Sequence, residues 1–175
     1  MSKREVLRLL EETNFPKQGR ANIRRQANTA PEGFVLGKII NRGYTVQTYG
    51  VPKIDDSKTT QNVKYNDLHT AAKALMRSHN PNFHFSSIQV NKNNRTAKHI
   101  DGRNVGMSYM IGLGDYTGGD LLIYDEDGKN PKAYPTKNRW INFNGSIYPH
   151  ETRPFRGTRY TLVYYDVVKK AEKKK

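Results

Sequence analysis

From Phe83 onward the chain is a succession of strand-length segments: FHFSSIQVN, VGMSYMIGL, GDLLIYD, RWINFN and RYTLVYYDVV. Each is rich in aromatic and β-branched residues and bounded by Gly, Asn, Asp or Pro. No interval between them carries a helix-length apolar pattern. Parallel strands need a long crossover, usually a helix, which argues against a parallel βαβ sheet and favours an antiparallel barrel or sandwich. Helices belong to the first half. Ser2, with Glu5 three places on and Val6, Leu7, Leu9 and Leu10 behind it, predicts a capped amphipathic helix that ends before Pro16. Asn66 and Asp67 precede Leu68, Ala71, Ala72, Leu75 and Met76 at helical spacing, and Asn80–Pro81 stops that run. The class is therefore α+β, with the N-terminal helices packed on one sheet. Between the helices, Lys17–Arg25 reads as a basic loop or a phosphate-binding arm. Phe34–Ile40 and Tyr44–Tyr49 read as short strands broken at Asn41, Arg42 and Gly43, and Asp55–Asn62 as a surface loop.

The length of 175 residues fits one domain over 1–168, with core strands at about 83–168 and a basic tail at 169–175. The absence of cysteine removes disulfides, thiolate nucleophiles and thiolate-bound metals, so any metal must sit on His and carboxylate. No stretch is apolar enough for a membrane span and acids stand where a signal peptide would have its apolar run. An intracellular protein, cytoplasmic or nuclear and without membrane partners, is expected. The formal charge is +14; the tail contributes five Lys and one Glu, and removing its net four charges leaves +10 on the body. Such a field attracts polyanions and points to nucleic acid as a partner.

Five histidines are present. His69 and His79 fall on the second helix and its end and His84 on a strand start, where a hydrogen-bonded structural role is the simpler reading. His99 differs because it opens HIDGRN. Residues two apart on a strand share a side, so His99 and Asp101 can offer an imidazole and a carboxylate to one metal. His150, from a later strand, is the candidate third ligand. Two His and one carboxylate on one face of an octahedron leave the other face open for a cosubstrate and dioxygen, the set used by non-haem Fe(II). Nine residues after His150 comes Arg159 and two further on Thr161, on one side of a predicted strand. An Arg inside a barrel is costly unless it meets an anion, and a dicarboxylate fits.

On these residues, His99 and Asp101, the GGDLLIY segment from Gly118 to Tyr124, His150, Arg159 and Thr161, the chain resembles the Fe(II)/2-oxoglutarate-dependent dioxygenase superfamily over about residues 86–166. The HIDGRN motif reaching Asn104 and the compact interval from His150 to Arg159 look most like its TET/JBP nucleic-acid base hydroxylase group. The resemblance implies a double-stranded β-helix, or jelly-roll, core and Fe(II) held by His99, Asp101 and His150. It also implies 2-oxoglutarate held by Arg159 and Thr161 with Asn91 on the strand before the motif, and oxidation of the methyl of 5-methylcytosine or thymine in nucleic acid, DNA ahead of RNA.

The substrate candidates are Asn104, whose amide can pair with a base edge, Arg95, which can meet 2-oxoglutarate or phosphate, and Tyr165 or its neighbour Tyr164, one of which faces inward to stack on a flipped base. Gly118 and Gly119 read as a turn between strands. A monomer is expected. A protein hydroxylase of the prolyl or lysyl type shares the same iron site and stands as the alternative, and a noncatalytic nucleic-acid-binding barrel is a further one.

Overall fold

The computed structural model describes residues 1–15, 23–24, 32–41, 45–49 and 65–167. The 55–62 loop, the basic tail and all of the 17–25 segment except Ile23 and Arg24 lie outside the described residues. Helix α1 (Lys3–Glu12) starts where its cap requires: the Ser2 hydroxyl accepts the Glu5 N–H at 3.1 Å and donates to the Glu5 carboxylate at 3.0 Å. Val6 and Leu10 are fully buried while Leu7 and Leu9 pack at the margin, a stripe set by the 3.6-residue period. Helix α2 (Tyr65–His79) begins a turn earlier than its polar pair suggests, so Asn66 and Asp67 lie inside the first turn. Tyr65 is the reason: its buried ring faces Phe34 at 5.1 Å and its hydroxyl donates to the Asn14 carbonyl at 2.8 Å, tying the helix start to the end of α1.

The main sheet contains β2 (Glu32–Asn41), β3 (Thr45–Tyr49), β4 (Ser87–Lys92), β6 (Asn104–Leu113), β10 (Trp140–Phe143) and β13 (Tyr160–Val167), in the order β10-β6-β13-β4-β2-β3, antiparallel throughout. A second, smaller sheet runs β11 (His150–Thr152), β8 (Leu121–Ile123), β9 (Lys132–Tyr134), also antiparallel. Two short ribbons pair β12 (Phe155–Gly157) with β7 (Tyr116–Gly118) and β1 (Ile23–Arg24) with β5 (Arg95–Thr96). The expected antiparallel β-rich unit behind two helices is thus present. Two segments are shorter than their sequence suggests: the predicted GDLLIYD strand contracts to three residues, and β4 starts only at Ser87, so that Phe83 and Phe85 pack as aromatic cover against Tyr109 and Tyr164. The strands β5, β7, β9 and β12 carry no apolar alternation and are defined by backbone pairing alone.

Alternation divides the main sheet into two faces. Ile88 and Val90 of β4, Ile111 and Leu113 of β6, and Tyr160, Leu162 and Tyr164 of β13 meet Val6, Leu10, Leu68, Ala72 and Met76 of the helices in one core. The residues between them point the other way. There Met110, Ile141 and Phe143 of the main sheet join Leu121 and Ile123 of the small sheet in a second cluster between the two sheets. No helix among the described residues is long and apolar enough to cross a membrane.

Candidate functional site

His99 and His150 are brought together by a one-residue antiparallel bridge: the His99 N–H donates to the His150 carbonyl at 3.1 Å and the His150 N–H to the His99 carbonyl at 3.0 Å. Asp101 is not on a strand with His99, as the spacing suggests. It sits in the turn after the bridge, with its carbonyl accepting the Asn104 N–H at 2.9 Å and its own N–H donated to the Gly145 carbonyl at 2.8 Å. That turn folds the carboxylate back, so that Oδ1 lies 3.3 Å from His99 Nε2 and Oδ2 3.1 Å from His150 Nε2.

The opposite ring nitrogens are committed elsewhere. His99 Nδ1 contacts the Ala97 carbonyl and His150 Nδ1 the Tyr148 carbonyl, the latter at 3.0 Å. A carbonyl only accepts, so each Nδ1 carries the proton and each Nε2 turns a lone pair toward the carboxylate. In the metal-free site the Nε2 atoms can also take up protons; burial by itself would raise the Asp101 carboxyl, but hydrogen bonds and positive charge from His150 and His99 protonated in this way outweigh it and hold the group well below the usual carboxylate range. Two imidazole lone pairs and an ionised carboxylate, all ligand atoms within 4.8 Å of one another, form a donor set that needs a cation between them. The set suits a divalent metal bound by nitrogen and oxygen. Among the described residues it is the only group of three or more potential ligands.

Space for it is provided by Gly145. A Cβ there would lie 2.9 Å from Asp101 Oδ2 and 3.0 Å from the His150 ring, so any larger residue would push into the cluster.

The cluster opens into a cavity of about 120 Å³ between the sheets. At its other end is Arg159, just before β13 and 2% exposed. Its Nη2 donates to the Gly119 carbonyl at 3.0 Å and its Nη1 to the Asn94 carbonyl at 3.4 Å, while Nε has no partner. The Tyr116 and Phe155 rings flank it with centroids at 5.7 and 5.5 Å. Among the described residues no carboxylate comes within 4.0 Å of it. Burial accordingly lowers its pKa, with Tyr116 opposing. A buried guanidinium with no carboxylate in ion-pair range and a spare donor has the chemistry to receive an anion. Beside it, Gln89 donates to Asn91 Oδ1 at 2.9 Å and Asn91 to Thr161 Oγ1 at 3.1 Å, a polar ladder across β4 and β13 on the cavity wall.

His99, Asp101, His150, Arg159, Thr161, Asn91, Asn104 and Tyr165 therefore share one cavity. Tyr165 is the inward-facing member of its pair; Tyr164 faces the helices, fully buried, and donates to the Ala72 carbonyl at 2.7 Å. Arg95 is not on this wall. It pairs through β5 with Arg24 and lines a smaller outer pocket with Glu151, since strand alternation gives the cavity to Thr96 instead. His79 stacks on Trp140 at 4.6 Å and His84 meets Asp166 at 3.0 Å, both away from the cluster. The sequence reading missed Gln89, Asn94, Thr96, Thr152 and Gly145. Gln89 stands two residues before Asn91, a period-two signal that was present. Gly118, read as a turn residue, instead closes β7 opposite Phe155, while Gly119 follows in the link to β8, both at positive φ; Gly119 also serves the cavity, since a Cβ there would lie 2.8 Å from Arg159 Nε.

No family model matches the chain, and no curated protein is significantly similar to it. Solved structures with the same fold do exist. An oxidoreductase of the 2OG-Fe(II) oxygenase family from Burkholderia pseudomallei is 16% identical at a TM-score of 0.60, covering 93% of this chain and 76% of its own. A prolyl-4-hydroxylase from Pseudomonas putida is 15% identical at a TM-score of 0.51, covering 93% and 82%. A prolyl hydroxylase from Trichoplax adhaerens, solved with a hypoxia inducible factor peptide, is 15% identical at a TM-score of 0.50, covering 93% and 74%. The chain thus has the fold of the 2OG-Fe(II) oxygenases, and its His–Asp–His cluster and buried arginine lie in one cavity of that fold.

Proposed function

We propose that this protein is an Fe(II)- and 2-oxoglutarate-dependent oxygenase that hydroxylates a polypeptide, in the manner of the prolyl hydroxylases. The observation that carries the reading is the pairing, in one cavity, of a three-ligand cluster with a counter-ion-free buried arginine. His99, Asp101 and His150 would hold the metal, which when bound supplies oxygen activation. Arg159, with Thr161 and Asn91, would hold the distal carboxylate of 2-oxoglutarate. Met110, Leu121, Phe143 and Val163 would keep the interior apolar and exclude water from the reacting end. The two-sheet arrangement is read as the jelly-roll barrel of this class. The overall reaction consumes 2-oxoglutarate, dioxygen and a substrate C–H and yields succinate, carbon dioxide and the hydroxylated product.

A polypeptide substrate is favoured because two of the structural neighbours are prolyl hydroxylases, one of them with a peptide bound. Oxidation of a nucleic-acid methyl group is the second reading. It is favoured by the +14 charge and by Asn104 and Tyr165 on the cavity wall, where an amide and an aromatic ring could receive a flipped base. One experiment addresses both. The protein is incubated with Fe(II), 2-oxoglutarate and either a proline- and lysine-containing peptide library or methylated and thymine-containing DNA and RNA. Succinate and oxidised product are then quantified by mass spectrometry. Hydroxylated peptide with unmodified nucleosides is the expected result, oxidised nucleoside alone would shift the substrate to nucleic acid, and no succinate under any condition would end the oxygenase reading.

A further inference from the structure

Besides Asn94 on the cavity wall, Arg159 is held by residues that do not line the cavity. The Gly119 carbonyl receives two donors: Arg159 Nη2 at 3.0 Å and the Thr136 hydroxyl at 3.1 Å. A hydroxyl has one proton, so Thr136, having given its own to Gly119, can only accept at its 2.9 Å contact with the Tyr116 hydroxyl. Tyr116 is therefore the donor. Its ring lies against the Arg159 guanidinium, and burial, offset in part by Thr136 and Arg159, raises its phenol, which keeps it protonated and able to donate. The chain of bonds runs Tyr116 to Thr136 to Gly119, where it meets Arg159.

This relay is built in from every side. Thr136 is 1% exposed, and its carbonyl accepts from the Gly112 N–H at 2.9 Å and the Arg139 N–H at 3.2 Å, which fixes its backbone. Gly112 leaves room for Tyr116, because a Cβ there would lie 2.0 Å from the phenol oxygen. Thr136 lies in the stretch between β9 and β10, which carries no other group of the site.

We propose that Thr136 is a positioning residue of the anion end of the cavity: its hydroxyl saturates the Gly119 carbonyl and orders Tyr116, and so presets the direction of the Arg159 guanidinium toward a carboxylate ligand. The inference rests on the oxygenase reading for the identity of that ligand, 2-oxoglutarate. Removing the hydroxyl leaves one carbonyl lone pair and one phenol proton unpaired in a dry place, and both would reorganise around Arg159.

The test compares Thr136→Val, which keeps the shape and loses the hydroxyl, with Thr136→Ser, which keeps the hydroxyl and loses the methyl. Thr136→Ala replaces the valine variant should that fail to fold. Binding of 2-oxoglutarate to the Mn(II)-loaded protein is measured by calorimetry, and KM and kcat for succinate formation are measured alongside. The expected result for Thr136→Val is about a tenfold loss of 2-oxoglutarate affinity, the scale of one buried hydrogen bond, with a raised KM and an unchanged kcat. Mn(II) binding without 2-oxoglutarate stays at the wild-type value, and Thr136→Ser binds 2-oxoglutarate within about twofold of wild type. Wild-type affinity in Thr136→Val overturns the proposal, as does equal weakness in Thr136→Ser, which would assign the effect to packing. A wild-type protein that binds Mn(II) but not 2-oxoglutarate would overturn the oxygenase reading itself, and the proposal with it.

Discussion

The two faces of the main sheet are made by the same strands and do opposite work. On β13, Tyr160, Leu162 and Tyr164 enter the helix-backed core while Thr161, Val163 and Tyr165 enter the cavity. On β4, Ile88 and Val90 go one way and Gln89 and Asn91 the other. The helix face buries aliphatic and aromatic area and satisfies the hydroxyls of Tyr164 and Tyr65 on the Ala72 and Asn14 carbonyls. The cavity face retains an uncompensated guanidinium, two orphan polar atoms on Arg159 and Asn94, and a cluster of converging lone pairs. Stability is concentrated on one face and the capacity to bind on the other, because a polar group left unpaired is tolerable only where the rest of the fold is secure.

The sharpest break of this comparison comes from the metal cluster. His99→Ala, Asp101→Ala and His150→Ala are each expected to lower metal affinity by more than about 100-fold and to abolish succinate formation at ordinary Fe(II), since each removes one of three protein ligands. Full turnover in any one of them would take that residue out of the cluster. Next is Arg159→Met, expected to cost about 2–5 kcal/mol of 2-oxoglutarate binding by calorimetry while leaving the thermal midpoint unchanged or raised, because an apolar side chain of similar length replaces a buried unpaired charge. A large drop in the midpoint would mean that Arg159 is a structural residue. The mirror experiment is Leu162→Ala on the helix face, expected to destabilise the fold by about 3 kcal/mol in denaturant titration while 2-oxoglutarate affinity of the folded protein changes little. The smallest effect is reserved for Gly145→Ala, where the added methyl should weaken metal binding about tenfold and leave stability within about 1 kcal/mol. Unchanged metal affinity there would mean that the 144–148 turn yields freely.

Much of the cavity was legible before any fold was known, because its residues are chemically improbable in their setting. His99 and Asp101 in HIDGRN, a later His150, and Arg159 with Thr161 in a strand that otherwise reads as apolar are each hard to explain as surface or core. Seven of these and the related candidates converge with Asn104 on one cavity, whereas Arg95 falls on the outer side of its strand. The error with Arg95 was one of parity: a two-residue strand such as β5 offers no alternation from which to read its face. The placement of Asp101 was reached by the wrong route, since a turn, and not a shared strand face, brings it to the histidines.

What the sequence determined by itself is whatever depends on local periodicity and on residue chemistry: the start of α1 at Ser2, the two faces of β4 and β13, the exclusion of thiolate chemistry, and the ligand types available to a metal. The tertiary structure decided the rest. It alone pairs β12 with β7 and supplies β9 as the partner of β8; β7, β9 and β12 are segments of three residues whose only specification is the backbone partner across the sheet. It alone places Gly145 against Asp101 and Thr136 behind Gly119, contacts between residues 44 and 17 positions apart in the chain. Such contacts leave no local pattern, because a glycine chosen for the space it vacates, or a hydroxyl chosen for the carbonyl it meets, looks in the sequence like any other turn residue.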